Sequence, residues 1–205
     1  MSTDAEHWEQ RYREGNIPWD SGRPSSELIR VLAEEHIQPC RAIELGCGTG
    51  TNSIWLAQQG FDVTGVDITS LAIASAQKKA ADAGVSARFV QGDVLNLPDL
   101  GPPFPFFFDR GCYHVIRRAG AVAGYVDTLN RITAANAIGL VLTGNAREPH
   151  EPGPPVVSDE EIRSELGPSF DIIHLREFRF DSSPQLSEHF LAWSCLLRKK
   201  PAGNR

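Results

Sequence analysis

The run Ala42-Ile43-Glu44-Leu45-Gly46-Cys47-Gly48-Thr49-Gly50 constrains this chain more than any other stretch. An apolar segment ends in Glu44, three glycines stand at alternate positions, and Thr51-Asn52-Ser53-Ile54-Trp55-Leu56-Ala57 resumes with spacing that suits a helix. Strand end, bare turn and helix start in that order predict a βα unit. Glycine omits the side chain where a ligand would need the backbone close. Amide groups at a helix start attract anions or hydroxyl groups. The same glycines would serve a tight βα turn on steric grounds alone, so this stretch by itself sets a conformation and leaves the activity open.

Two spacings narrow the reading. After Gly60, Phe61-Asp62-Val63-Thr64-Gly65-Val66-Asp67 reads as a second strand ending in an acid, 17 residues beyond Gly50. A carboxylate there can accept both hydroxyls of a ribose. The dinucleotide fingerprint G-x-G-x-x-G asks for glycine at position 51, where this chain has Thr51, and that counts against NAD. The run E-x-G-x-G-x-G followed by an acid after the next strand resembles the cofactor loop of class I methyltransferases, which bind S-adenosylmethionine. A third strand, Ala87-Arg88-Phe89-Val90-Gln91, runs into Gly92-Asp93-Val94, where an acid in that family faces the adenine amino group. The alternative is that Asp67 and Asp93 are plain strand-end caps.

At 205 residues, 41% hydrophobic and 22% charged, the chain suits one substantial core, and a single domain over 1–205 is expected. A net charge of −6 and the lack of a long Lys/Arg run argue against avid nucleic-acid binding, which asks for a basic face. No apolar stretch approaches the ~18 residues of a membrane helix and the N-terminus is polar, so neither a span nor a secretory signal is expected, and the location expected is cytoplasmic. Cys40, Cys47, Cys112 and Cys195 lack C-x-x-C spacing and a nearby histidine pattern. That argues against zinc and against a disulfide framework, and free thiols suit a reducing compartment.

Residues 1–24 form a polar lead carrying Trp8, Tyr12 and Trp19. Trp8 and Tyr12 are four apart and share a face if the segment is helical. They either pack as satellite core or form a lid, since an aromatic face attracts a sulfonium cation and excludes water. Ser25 or Ser26 can cap a helix whose stripe is Leu28, Val31 and Leu32. Residues 70–83, closed by Gly84, suit another helix. Strands alternating with helices predict an α/β fold: a doubly wound, mainly parallel, seven-stranded sheet with helices on both faces, its last strand antiparallel, and ligands at the carboxyl strand ends.

After a Pro/Gly loop, Phe106-Phe107-Phe108 reads as a short buried strand stopping at Asp109, followed by Arg110-Gly111-Cys112-Tyr113-His114. This fourth strand end is expected to border the cofactor's methyl group. Arg110 can hold a thiolate or carboxylate in its charged form, or it can simply pair with Asp109 or another acid. His114 is either a hydrogen-bonded structural histidine or a base, and Cys112 suits a small packing role. A helix is expected over 119–135 and a fifth strand over 138–143. Residues 145–157, rich in proline, read as a loop over the site, and Glu148, His150 and Glu151 there give no defined metal geometry. Ser158-Asp159-Glu160-Glu161 is a capping box. Strands over 170–178 and 189–197 complete the sheet, and 199–205 reads as a frayed tail.

Taken together, the chain resembles thiopurine S-methyltransferases and the small bacterial thiol methyltransferases over nearly its whole length. The likeness rests on Trp8-x3-Tyr12-x6-Trp19, Val66-Asp67-Ile68, Asp109-Arg110-Gly111, and Gly153-Pro154-Pro155 ahead of Glu160-Glu161-Ile162. The resemblance implies that Trp8, Tyr12 and Trp19 cover cofactor and substrate. It also implies that Leu45, Gly46, Gly48, Asp67, Ile68, Asp93, Val94 and Asp109 contact S-adenosylmethionine, and that Arg110 is the catalytic residue between cofactor and substrate. Tyr113 and His114 stand where the family has smaller or apolar residues and are candidate substrate contacts; no metal is implied. The implied chemistry is direct displacement by the sulfur of a small thiol, with alignment and desolvation supplying on the order of 7–11 kcal/mol. Acceptors with oxygen or nitrogen, halides and chalcogens remain open, as does a module that binds the cofactor without turnover. Small-molecule partners, without nucleic acid or membrane, and a monomer or weak homo-oligomer are expected.

Overall fold

Short apolar runs that end at glycines, acids or caps set where each strand stops and each helix begins. The computed structural model describes residues 3–149, 151, 153–181 and 189–201. The chain divides into two compact units, Met1–Val94 with Asp181–His189, and Leu95–Phe180 with Phe190–Arg205. No helix among the described residues is long and apolar enough to cross a membrane.

The first unit holds α1 (Thr3–Arg13), α2 (Ser26–Glu34), β1 (Arg41–Leu45), α3 (Thr51–Gln58), β2 (Asp62–Asp67), α4 (Ser70–Asp82) and β3 (Arg88–Gln91). Its strands run parallel in the order β3-β2-β1, with Leu45 opposite Val66 and Asp67 opposite Gln91. Ser25 caps α2 by accepting from the Leu28 amide. Beneath the glycine turn, Ile54, Ile73, Ala76 and Ala80 pack with Cys47 and Phe89. Gly50 must be bare for two reasons: its φ is +79°, and a Cβ would stand 2.7 Å from the Ala76 Cβ.

The second unit holds β4 (Phe104–Arg110), α5 (Cys112–Arg118), α6 (Val122–Ile132), β5 (Thr133–Asn145), β6 (Val156–Val157), α7 (Asp159–Leu166), β7 (Phe170–Arg179) and β8 (Leu191–Lys199). Its strand order is β4-β5-β8-β7, with β6 paired to β5. β4 and β5 are parallel, whereas β8 runs antiparallel to both β5 and β7. Ser158 and Glu161 form the capping box of α7.

Four expectations change. Residues 112–118 form a helix, and the helix expected over 119–135 ends at Ile132 because β5 starts at Thr133, five residues upstream of the strand expected over 138–143. A register shift between Phe104 and Phe106, where Asn136 has a φ of +59°, absorbs the extra residues. The seven strands expected are present among the described residues, and a short eighth, β6, lies inside the proline-rich segment expected to be loop. Lys199 closes β8 and its Nζ donates to the carbonyls of Asn130 and Thr133, so it is no part of a frayed tail. Residues 202–205, like His150 and Pro152, lie outside the described residues.

Candidate active site

In the first unit, the carboxyl ends of three neighbouring strands are stitched together. The Cys47 amide donates to the Val66 carbonyl at 2.8 Å, the Gly92 amide to the Asp67 carbonyl at 2.9 Å, and the Gln91 side chain to the Ile68 carbonyl at 3.3 Å. Gly46, Asp67, Ile68 and Asp93 therefore share one rim. One Asp67 oxygen accepts from the Gly48 amide at 2.9 Å, and the other from the amide and hydroxyl of Thr69 at 3.0 and 2.8 Å. Asp67 is 7% exposed, and burial raises its carboxyl above the ordinary value in spite of these donors.

Gly46 and Gly48 have φ values of +66° and +53°, in the left-handed region that side chains disfavour. A Cβ on Gly48 would meet the Tyr12 hydroxyl at 3.0 Å. Bare amides, a carboxylate and a second, half-buried acid at the next strand end suit a nucleoside with vicinal hydroxyls. The residues present thus fit an adenosyl cofactor. Ile68 is half-buried and Val94 retains slight exposure on this rim, but Leu45 is wholly buried in the core.

Three sets of side-chain hydrogen bonds support this rim. Buried Glu44 accepts from Ser53 and, at 3.0 Å, from Asn52, fixing the start of α3 to the end of β1. Glu9 on α1 accepts from the amide and hydroxyl of Ser70 at 2.9 and 2.7 Å, capping α4. Asp20 accepts from Thr49 at 2.6 Å and lies 3.5 Å from the Lys79 ammonium. Burial alone would raise the Asp20 carboxyl, but Thr49, the Gly22 amide and Lys79 outweigh it and hold it below the ordinary value. The aromatic lead is therefore tied to the glycine turn and to α4. Trp8 and Trp19 meet edge-on at 5.2 Å, as do Tyr12 and Trp19 at 6.0 Å. The Arg11 guanidinium lies over Trp19 at 4.4 Å, so that ring face already holds a cation.

In the second unit, β4 ends at Asp109 and Arg110, and Gly111 turns the chain into α5 with a φ of +96°. Asp109 is wholly buried and accepts from the Cys112 and Tyr113 amides and, at 2.7 Å, from the Tyr125 hydroxyl. Its side chain is taken up in capping α5. Tyr113 is also wholly buried, and its hydroxyl donates to Glu165 at 2.5 Å. It anchors α5 to α7, where Arg117 also pairs with Glu161 and Glu165. The half-buried Arg110 extends its guanidinium over the Phe180 ring at 5.0 Å. His114 is 6% exposed; its Nδ1 lies 3.2 Å from the Thr143 hydroxyl and accepts from the Gly144 amide at 3.2 Å.

Burial pushes the Asp109 carboxyl up to about 7 from 3.8, against the pull of its hydrogen-bond donors. A carboxyl with a raised folded-state value binds its proton more tightly in the fold than in the unfolded chain. Its contribution is complete below about pH 4 and is lost as the pH rises through about 7. Asp109→Asn is expected to flatten the fall in stability across that window, measured by urea unfolding at successive pH values.

A model of the thiopurine S-methyltransferase family matches residues 3–189. The thiopurine S-methyltransferase of Bordetella petrii is 28% identical over 177 residues, which cover 78% of this chain and 80% of that protein. The 2-heptyl-1-hydroxyquinolin-4(1H)-one methyltransferase of Mycobacteroides abscessus is 28% identical over 149 residues, covering 71% of this chain and 65% of that one. Among solved structures, one concerned with conversion of a disulfide bond into a thioacetal group during echinomycin biosynthesis aligns over 96% of this chain and 91% of its own, with a TM-score of 0.83 and 24% identity. Magnesium protoporphyrin IX methyltransferase from Synechocystis PCC 6803 with bound SAM aligns over 85% of this chain and 77% of its own, with a TM-score of 0.66 and 19% identity. At these identities the structures speak for the fold alone: a Rossmann-like, mainly parallel α/β sheet flanked by helices. The chain belongs to the thiopurine S-methyltransferase family of S-adenosylmethionine-dependent methyltransferases.

Proposed function

We propose that this protein transfers the methyl group of S-adenosylmethionine to the sulfur of a small thiol, as a single methyltransferase domain acting on small molecules in the cytoplasm. The observation that carries the proposal is the rim of the first unit, where the bare turn at Gly46 and Gly48 meets Asp67, and β2 pairs with the strand that leads into Asp93. Asp67 and Asp93 would hold the ribose and adenine, and the glycine amides would receive the polar groups between them. When bound, the cofactor supplies an electrophilic methyl on a cationic sulfur, so the protein has no leaving group to protonate. Tyr12, tied to Trp19 and set against Gly48, keeps water from the turn. Arg110, steadied by Phe180, keeps the acceptor in its anionic, nucleophilic form.

A second reading has a specific support, since a relative at 28% identity is named for a hydroxyquinolone substrate. On that reading the acceptor atom is an oxygen or nitrogen of a heterocycle. Incubation with panels of aromatic thiols, hydrogen sulfide, halides, phenols and hydroxyquinolones, read out as S-adenosylhomocysteine formed, separates the two. Turnover of thiols above the rest is expected; turnover of oxygen acceptors alone would replace the first reading with the second. Arg110→Ala is expected to slow transfer to thiols about tenfold, the worth of one charge-assisted contact, while S-adenosylhomocysteine binds as before. Equal losses in both would make Arg110 a structural residue.

A further inference from the structure

We infer that His114 is an acceptor-binding residue: its Nε2–H, in the field of Arg110, receives the negatively charged atom of the methyl acceptor. The inference deepens the proposed function and rests on it for the identity of the ligand. It starts from the ring's hydrogen bonding. A backbone N–H can only donate, so the Gly144 amide obliges Nδ1 to act as acceptor, and in the neutral ring the proton then lies on Nε2. Protonating Nδ1 would set two N–H groups against each other.

The other nitrogen has no such bond. Among the described residues His114 hydrogen-bonds through Nδ1 alone, and no buried side-chain nitrogen or oxygen is without a partner, so Nε2 must retain contact with solvent although the residue is nine-tenths buried. Nε2 stands 3.2 Å from where a Cβ on Gly111 would be. The bare glycine after Arg110 is therefore what leaves room for this nitrogen at the end of β4. A polar N–H held inside the fold with one open direction points to a ligand that accepts a hydrogen bond.

The charges around the ring select the sign of that ligand. Arg110 from the end of β4 and Arg118 from the ring's own helix both act on it, and both are cations. β5 contributes Thr143 and the Gly144 amide and contains no titratable side chain. Burial first, and then these two arginines, lower the imidazole to about 3. A ring so placed takes no proton from the acceptor. The acceptor must lose its proton to solvent before it binds, as a thiolate, phenolate or ionised N-hydroxy heterocycle. Arg110 and the Nε2–H then face it together, one as a charge and the other as an uncharged directional donor.

Three measurements on the whole protein test this. With ¹⁵N-labelled histidine, the His114 ring is expected to show the Nε2–H tautomer unchanged from about pH 8 to about pH 5, and its Nε2–H resonance to move when thiophenolate is added with S-adenosylhomocysteine. A ring that titrates in that range, or a resonance that thiophenolate leaves in place, would overturn the inference. Across aromatic thiols of graded acidity, the pH at which kcat/KM levels off is expected to follow the thiol. A fixed break near about 6.5 that vanishes in His114→Gln would make the residue a base instead. His114→Ala is expected to lower kcat/KM about tenfold with cofactor binding unchanged, and His114→Gln, which restores a donor, to recover most of it. Equal losses in both variants would leave only a packing role. Absence of methyl transfer to any acceptor would defeat the proposed function; transfer accompanied by a titrating ring would defeat only this inference.

Discussion

Asp67→Ala is expected to weaken S-adenosylhomocysteine binding about 100-fold or more, measured by titration calorimetry on protein first shown to be folded by circular dichroism. The size of the effect follows from the carboxylate's double duty. It accepts from the Gly48 amide and from both donors of Thr69, so its removal frees the glycine turn and the start of α4 together. It is also the group proposed to receive the ribose hydroxyls. Charge-assisted hydrogen bonds contribute about 1.5–3 kcal/mol each, and losing two reaches that factor. Asp67→Asn keeps the shape but accepts on one side only, so an intermediate loss is expected. Affinity within about threefold of the parent for Asp67→Ala would remove the nucleoside from this rim.

The largest loss of stability is expected at a glycine of β5. Gly139 on β5 lies opposite Phe107 on β4, whose ring crosses the glycine so closely that a Cβ would stand 1.9 Å from the ring's Cζ. Phe107 has no room to retreat: it is wholly buried and meets Phe170 edge-on at 5.7 Å. Gly139→Val is therefore expected to cost about 3 kcal/mol or more, as overpacking of a close-packed core does. In a chain of this size that is a fall in melting temperature of about 6–12 °C. Shrinking the ring in a Gly139→Val, Phe107→Leu double variant should recover part of the loss, and strictly additive losses would show that the two positions do not touch.

Much of the first unit was legible because its signals are local. Runs such as 61–67 stop at an acid, glycines follow at fixed offsets, and Ser25 and Gly84 punctuate helices where their side chains or backbone angles require. In the second unit α5 escaped notice because seven residues give too little periodicity, and its N-cap is a glycine with Asp109 reaching forward from the strand. Leu45, Asp109 and Tyr113 show a further limit. A motif names the residues at a strand end but not which of them turn inward, and that is decided by packing against elements distant in sequence. The same holds for Glu9 and Asp20, whose partners lie 61 and 29 residues away and which look like ordinary charges in a polar lead. His114 was visible as a residue of two possible roles; its tautomer depends on the Gly144 amide, 30 positions on.

The placement of β8 between β5 and β7 carries a consequence for how the chain is made. Among the described residues β7 pairs with β8 alone, which follows it in sequence, so a growing polypeptide presents β7 with both ladders open until that later hairpin partner has been synthesised. The interval is one of exposure to other nascent chains. β7 meets it with Asp171, Arg176, Glu177 and Arg179, a fringe of alternating sign that discourages edge-to-edge association before the sheet is complete.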